Sequence, residues 1–452
     1  MLAQPVEKSS HARVTARVSA GGFACPAGKV RPMRLVSGLF AVVTAVSTAA
    51  VLVTGPAGAD PAPPGPGPKD AARLSRAWTG SPAHGTIGSG PVYANGSVYY
   101  TEDAWPVSDP RSGLRISRRD AATGRPLPFA APAIEALLFA QPATDGVRIF
   151  TVSAYENADP VASVRAYTLD GRAAWTRRLP GEKFLLNMVI AGPLVIAAGE
   201  LDCDREPEAG CERTTVAAWS AATGKRAWQR TVPGGSPQLV AAAGRLTVST
   251  TAGPGTADLT AVDAVSGRRL WVRKRLAAGS LAADAGSVYV AGGDLCALRA
   301  KDGGRRWCVK DRRYSDVTVA GDGLYAVADS EVADRDQRVV ALTTRGRPRW
   351  AVPASPTGPL TVANGVIYLQ HYPQDGPSDR PATTLDRTED LPTLPHAVDR
   401  PARLLALHGA TGARLAELPV SDGYSSGSVA VGPGRVFTTA YLTAVLGFAP
   451  KP

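Results

Sequence analysis

A short phrase recurs along this chain and limits what it can fold into. It is clearest as Ala261-Val262-Asp263-Ala264-Val265-Ser266-Gly267-Arg268-Arg269-Leu270-Trp271, and it returns as Ala218-Trp219-Ser220-Ala221-Ala222-Thr223-Gly224-Lys225-Arg226-Ala227-Trp228. Weaker copies end at Trp175, Trp307 and Trp350, and in every copy a Gly precedes the Trp by four residues. Self-similarity at a period of roughly 40 to 50 residues marks a propeller or another repeat array. The phrase has a local physical meaning. Leu259 to Val262 suits a strand, and the Asp-x-x-Ser/Thr-Gly segment is turn chemistry. Asp bonds its own downstream backbone there, and Gly supplies a positive φ without steric cost. The stretch ending in Trp is then the returning strand. Its indole buries a large area and can still satisfy its N–H.

A second series of turns is phased against the first. Tight-turn pairs precede apolar runs at Asn95-Gly96, Asp145-Gly146, Gly192-Pro193, Ala243-Gly244, Ala285-Gly286, Asp322-Gly323, Asn364-Gly365 and Pro433-Gly434. Such pairs between β-branched and aromatic runs are strong hairpin signals. Two hairpins per period give four strands per unit, A to D, which is a propeller blade. The docking positions are Trp78, Trp175, Trp228, Trp271, Trp307 and Trp350, with Pro128 and Ala416 in place of Trp in two units. Trp78 has no phrase before it, and Thr443 to Phe448 reads as a C strand with no D strand after it. An N-terminal strand that completes a C-terminal sheet would close the ring and cover an exposed edge. The expectation is an all-β, eight-bladed β-propeller of four-stranded antiparallel blades, closed by an N-terminal strand, with seven blades as the alternative.

The repeated Ala-x-Asp-x-x-Thr-Gly-x-x-x-Trp phrase resembles the tryptophan-docking repeat of the pyrroloquinoline-quinone (PQQ)-like propeller superfamily, over roughly residues 76 to 449. That superfamily includes quinoprotein alcohol dehydrogenases and an outer-membrane assembly lipoprotein. The resemblance implies the fold. It implies little about activity, because the motif is a packing device and fold separates easily from function.

Export is the next reading. Lys29, Arg31 and Arg34 precede an apolar stretch, Leu39 to Val53, of about 15 residues, short for a membrane span. Ala57-Gly58-Ala59 fits a small-x-small cleavage site, which makes Asp60 the expected mature start. The sequence thus divides into an upstream extension over 1–32 (Met33 being a candidate initiator), a signal peptide over 33–59, a Pro/Gly-rich linker over 60–73 and a propeller over 74–450. The expected location is secreted or extracytoplasmic. A membrane contact is expected only through an uncleaved leader, the alternative to cleavage. Beyond residue 59 the chain carries 44 basic and 38 acidic residues. No dense basic stripe interleaved with aromatics is visible, so nucleic acid is not an expected partner. Of the 50 basic residues 41 are Arg, a bias read here as genomic composition.

Cysteine usage agrees with export. Beyond Cys25 four remain, in two close pairs, and the expectation is two local disulfides, Cys203–Cys211 and Cys296–Cys308. Each closes a short loop, worth about 2 to 3 kcal/mol when unstrained. The spacing is not a zinc pattern. Catalytic signals are sparse. The resemblance implies that a PQQ enzyme would carry adjacent cysteines and a calcium site of Glu, Asn and Asp, and this chain has no Cys-Cys pair. His84, His371, His396 and His408 are scattered and are read as surface or loop residues. Asp329, Glu331, Asp334 and Asp336 form an acidic loop without the ligand spacing of a calcium loop. Trp219 is expected to pack on its strand, and Trp105 lies in a loop. No catalytic, cofactor or metal residue is assigned.

The A–B and C–D turns are short, whereas the B–C connections vary, up to Gln370–Arg400. Variable loops on a rigid scaffold are where function concentrates. The sequence therefore points to a monomeric, exported, non-catalytic scaffold that binds a protein, peptide or cell-envelope component through its B–C/D–A face. The alternative is a PQQ-dependent or other small-molecule enzyme with its site at the central channel.

Overall fold

The structure is a computed structural model. It describes residues 65–452 except 84–85, 104–112, 135–137, 140, 155–160, 183–185, 204–210, 254–255, 278, 330–336, 374–400, 422–426 and 441–442. The chain divides into two compact units, Met1–Thr44 and Ala45–Pro452, and every described residue belongs to the second.

The described residues are almost wholly antiparallel β-sheet, with one four-residue helix, Pro68–Ala71. A typical unit consists of Gly235–Ala242, Arg245–Gly253, Thr256–Asp263 and Arg269–Ala277, hydrogen-bonded in sequence order as strands A to D. Strand A is one edge and strand D the other. The A strands of successive units touch one another in a closed circuit that returns to its start: Thr86–Ala94, Ala143–Thr144, Leu186–Ala191, Gly235–Ala242, Leu281–Ala283, the second half of Arg305–Ala320, Thr361–Ala363 and Val429–Gly432. The A edges thus line the centre and the D edges lie outermost. This is the β-propeller arrangement read from the two phased hairpins.

Two features blur the division into sheets. Strand Arg305–Ala320 runs unbroken from the D position of one unit into the A position of the next, so one hydrogen-bonded sheet has seven strands. Its first half pairs with Gly293–Arg299 and its second with Gly323–Asp329. In two other units strand A is broken into two short pieces. Ring closure uses the N-terminal strand: Leu74–Gly80 takes the D position beside Ala444–Pro450, with Leu74 opposite Pro450 and Gly80 opposite Val445.

The A–B turns follow the local chemistry with one shift. Asn95-Gly96, Ala243-Gly244 and Asn364-Gly365 have both φ values positive, as a two-residue hairpin turn requires. The sequence reading placed another turn at Asp322-Gly323. The structure places it at Gly321-Asp322, with Ala320 opposite Gly323, so Gly323 opens the strand. Gly321 is the residue with positive φ (+58°), which explains the shift.

The core lies between sheets. The cluster containing Leu259, Trp271, Leu281 and Val290 joins two successive units, and that of Tyr325, Ile367, Leu369 and Leu405 joins two more. Trp219, 1% exposed, packs in the cluster that also holds Trp175. The segment read as linker is packed at its end. The Tyr368 hydroxyl donates to the Pro66 carbonyl at 3.0 Å, Asn364 donates to the Gly65 carbonyl at 3.1 Å, and Ala71 is fully buried. Cys296 and Cys308 are register partners on the C and D strands and are disulfide-bonded, with Cα atoms 4.1 Å apart. Cys203 and Cys211 are also register partners, but their side chains lie outside the described residues.

The Trp positions share one geometry. The indole N–H of Trp271 donates to the carbonyl of Ala300, in the C–D turn of the next unit, at 2.9 Å. Trp228 does the same to Ala264 at 2.9 Å, Trp175 to Ala221 at 3.0 Å and Trp78 to Ala121 at 3.1 Å. Trp307 reaches Thr344 and Trp350 reaches Gly409. The Gly of each receiving turn lies against the ring. A Cβ built on Gly267 would meet Trp228 at 2.6 Å, and φ there is +68°. That Gly is therefore fixed twice, by its backbone conformation and by the indole face.

Replacing Trp271 with Phe keeps most of the packing but leaves the Ala300 carbonyl buried without its donor. The expected loss is about 1 to 3 kcal/mol in urea unfolding. Trp271→Ala is expected to cost about 3 to 5 kcal/mol. Equal, small losses for both variants would show that the indole N–H is not a structural bond.

Candidate functional site

The B–C/D–A end of the ring is built from buried polar side chains that the sequence reading did not single out. Asn187, Gln238, Ser280 and Asp316 stand at the same register in four successive units, each seven residues before the first residue of strand B (Leu194, Arg245, Ser287 and Gly323). Asn187, Ser280 and Asp316 are buried. The Asp316 carboxylate links three units: Oδ1 accepts from Ser280 Oγ at 2.7 Å, and Oδ2 accepts from the Leu360 N–H at 3.2 Å. Burial pushes its pKa up from the ordinary 3.8, against the pull of those donors. Gln238 Oε1 is buried with no hydrogen-bond partner among the described residues.

Other buried polar groups fasten the D–A connections. Glu102, fully buried, accepts from the Ala83 N–H at 3.2 Å through both carboxylate oxygens. Glu200 accepts from the Ser236 N–H at 2.6 Å, and Ser236 has a positive φ of 48°. Thr214 Oγ1 donates to the Gly234 carbonyl and Thr250 Oγ1 to the Pro233 carbonyl, at 2.7 and 2.6 Å. Gln370 Nε2 donates to the Thr439 carbonyl at 2.7 Å and so joins the B strands of two successive units instead. A connection pinned in this way has little freedom to rearrange, because an unpaired buried polar group costs about 1 to 3 kcal/mol.

His371 corrects the sequence reading. It is 1% exposed, at the end of strand Val366–Tyr372, rather than on the surface. Its Nε2 lies 3.2 Å from Glu417, which also meets Arg414 at 3.1 Å and Arg403 at 3.6 Å. Burial lowers its pKa and outweighs Glu417, so it is held neutral. His408 is half-buried in a C–D turn, with Nδ1 2.9 Å from Thr411 Oγ1. Asp329 accepts from Ser315 at 3.1 Å and from Gln337 at 3.0 Å. His84, Trp105, Glu331, Asp334, Asp336, His396, Ala57, Ala59 and Asp60 lie outside the described residues, as does most of each variable B–C connection. The six docking Trp residues are brought to equivalent places between units, not to one site.

Two further arginine roles stand beside the docking Trp residues, one of them with a sequence signal. Arg177, Arg230 and Arg273 each stand two residues after a docking Trp and donate through Nε to the carbonyl of the Gly beneath that Trp, at 2.7 Å. At Trp78 this place is Gly80. A Cβ there would lie 2.6 Å from the guanidinium of Arg119, which bonds the Gly124 carbonyl instead, at 2.8 Å. The Trp-x-Arg spacing was legible. The Gly80–Arg119 exchange needs the fold to be seen.

An Asp316→Asn variant tests the centre. The raised pKa means that the neutral acid is the form favoured by folding. This contribution is fully present below the ordinary value of 3.8 and is lost as pH rises through the folded value. The stability advantage of the native protein over Asp316→Asn is therefore expected to be largest in acid and to narrow as pH rises. Thermal unfolding of both proteins across pH checks it. A constant difference would remove Asp316 from the account.

No curated protein matches the chain in sequence. Among solved structures, quinohemoprotein alcohol dehydrogenase from Comamonas testosteroni is similar at 14% identity and TM-score 0.53, covering 85% of this chain and 79% of that one. Quinohemoprotein alcohol dehydrogenase ADHIIG from Pseudomonas putida HK5 is similar at 12% identity and TM-score 0.51, covering 85% and 77%. BamB from Moraxella catarrhalis aligns at 17% identity over 67% of this chain and 96% of that one, with a TM-score of 0.39. At such identities the dehydrogenase likeness concerns the fold alone. The PQQ_2 family, described as outer membrane protein assembly factor BamB, matches residues 70–307 and 212–358, and the chain belongs to that family.

Proposed function

We propose that this protein is an exported, non-catalytic β-propeller scaffold that binds a protein, peptide or cell-envelope component through its B–C/D–A face. The observation that carries the reading is the use made of the carboxylates at that end. Glu102, Glu200 and Asp316 accept hydrogen bonds from the connections between units, and so serve the rigidity of the face. A rigid rim beneath variable connections suits recognition. The family's description as an assembly factor favours a binding role. The Cys296–Cys308 disulfide favours an extracytoplasmic location.

A PQQ-dependent enzyme is the competing reading, prompted by the dehydrogenase folds. Among the described residues nothing fits that cofactor with its calcium. No cysteines are adjacent in the sequence, and the described residues hold no group of three His, Cys, Asp or Glu side chains able to share a metal. Asp316 already accepts hydrogen bonds at both oxygens.

Native mass spectrometry after incubation with PQQ and calcium is expected to show no stoichiometric uptake. One-to-one uptake with a quinone absorbance band would overturn the scaffold reading. In affinity capture from the native envelope fraction, deletion of 374–400 is expected to weaken recovery of the partner. That deletion leaves buried Gln370 and His371 in place. Equal recovery would exclude this connection as the contact.

A further inference from the structure

We propose that the outer edge of three successive units is a docking surface for a flexible linear polyanion bearing phosphate groups, separate from the B–C/D–A face. The D strands of these units read RAWQRTVP over Arg226–Pro233, RLWVRKRLA over Arg269–Ala277 and RRWCVKDRR at the start of Arg305–Ala320. They contain eleven basic residues and one acidic residue, and all eleven basic residues are exposed. Beyond residue 59 the excess of basic over acidic residues is only six, so outside these strands the chain is net acidic. The charge is therefore segregated. In sequence it is hidden, because the three stretches are separated by the A, B and C strands of each unit, and only the sheet order brings them to one edge.

Among the described residues little neutralises this edge. Among described residues only Lys310 of the eleven forms an ion pair, with Asp294 at 3.5 Å and on the surface. The nearby acidic side chains are engaged in their own turns. Asp263 accepts from Ser266, and Asp302 accepts from the Gly304 N–H and from Arg299. Arg230 and Arg273 are also oriented in advance, since Nε of each is held by a Gly carbonyl, which reduces the side-chain freedom lost on binding. A guanidinium fork matches phosphate oxygens well.

The ring geometry selects among polyanions. The D edges belong to successive units around a closed circuit of A strands, so they face successively different directions. A flat bilayer reaches only part of such an edge. Duplex DNA is stiff over about 150 base pairs and bends at a cost. A flexible chain can follow all three strands and release counterions along the whole contact.

The test uses medium-chain inorganic polyphosphate and the full chain. Binding is expected to weaken steeply with added NaCl. A variant carrying Arg269→Gln, Lys274→Gln, Arg305→Gln and Arg312→Gln, which leaves the tethered arginines untouched, is expected to bind about tenfold more weakly or worse. A control with Lys69→Gln, Arg125→Gln, Arg347→Gln and Lys451→Gln removes the same charge elsewhere and is expected to stay within about twofold. Circular dichroism and thermal unfolding confirm that both variants fold. Equal loss in both variants, binding indifferent to salt, or equally tight binding to charge-matched duplex DNA or to vesicles containing phosphatidylglycerol would each overturn the proposal. Partner capture through the B–C/D–A face is scored separately and does not depend on this outcome.

Discussion

The fold depends on a single contact repeated between neighbours: an indole N–H on one outer strand donating to a turn carbonyl of the next unit, over a Gly with no side chain. Each half of the contact is local. The turn is set by an Asp, Ser or Thr and a Gly, and every docking Trp except Trp78 stands four residues after the Gly of its own unit. The contact itself is not local, since Trp228 reaches Gly267 and Trp271 reaches Gly303. A unit with only four strands cannot bury both faces. The contact therefore gives each sheet the neighbour it needs, and closure of the circuit removes the last exposed faces.

One junction without the Trp, and the junction that closes the ring, each show what the contact is for. After the first unit, Pro128 stands where Trp would be. The equivalent turn carbonyl, Leu169, accepts from the Tyr99 hydroxyl at 2.9 Å, while Phe129 packs edge-on between Tyr99 and Tyr167 at 5.9 Å from each. Gly171 is overlaid there by the backbone of Phe129 to Ala131 rather than by a ring. The buried carbonyl must have a donor, and the donor need not be Trp. At the closing sheet the D strand comes from the other end of the chain. Trp78 on that strand lies across Gly447, where a Cβ would meet the indole at 2.3 Å, and still reaches the turn of the first unit.

This division explains what the sequence made legible. Trp, Gly and the turn pairs carry their own conformational meaning, so strand order, the N-terminal closing strand and the docking sites could all be read. The Asp322-Gly323 pair misled because a second Gly, Gly321, stood one residue earlier and took the positive φ. His371 looked like a loop residue because it adjoins a long Pro- and Asp-rich stretch, yet strand pairing opposite Arg403 carries it inside. Asp316 and Glu102 were invisible for a different reason. A lone carboxylate in a strand has no local signature, and its partners, Leu360 and Ala83, belong to connections that only the closed ring brings near.

The centre and the outer edge of the ring use their charged groups differently. At the centre, polar groups are spent on one another: carboxylates hold backbone N–H groups, and burial keeps Asp316 inclined to its neutral form. Such groups gain rigidity and lose reactivity. At the outer edge the balance is reversed. The basic side chains are exposed and mostly without ion pairs among the described residues, so their charge remains available to an outside ligand. Among the described residues, the carboxylates at the centre join units while the cations of these outer strands stay exposed, so the two kinds of charge are kept apart by their distance from the axis.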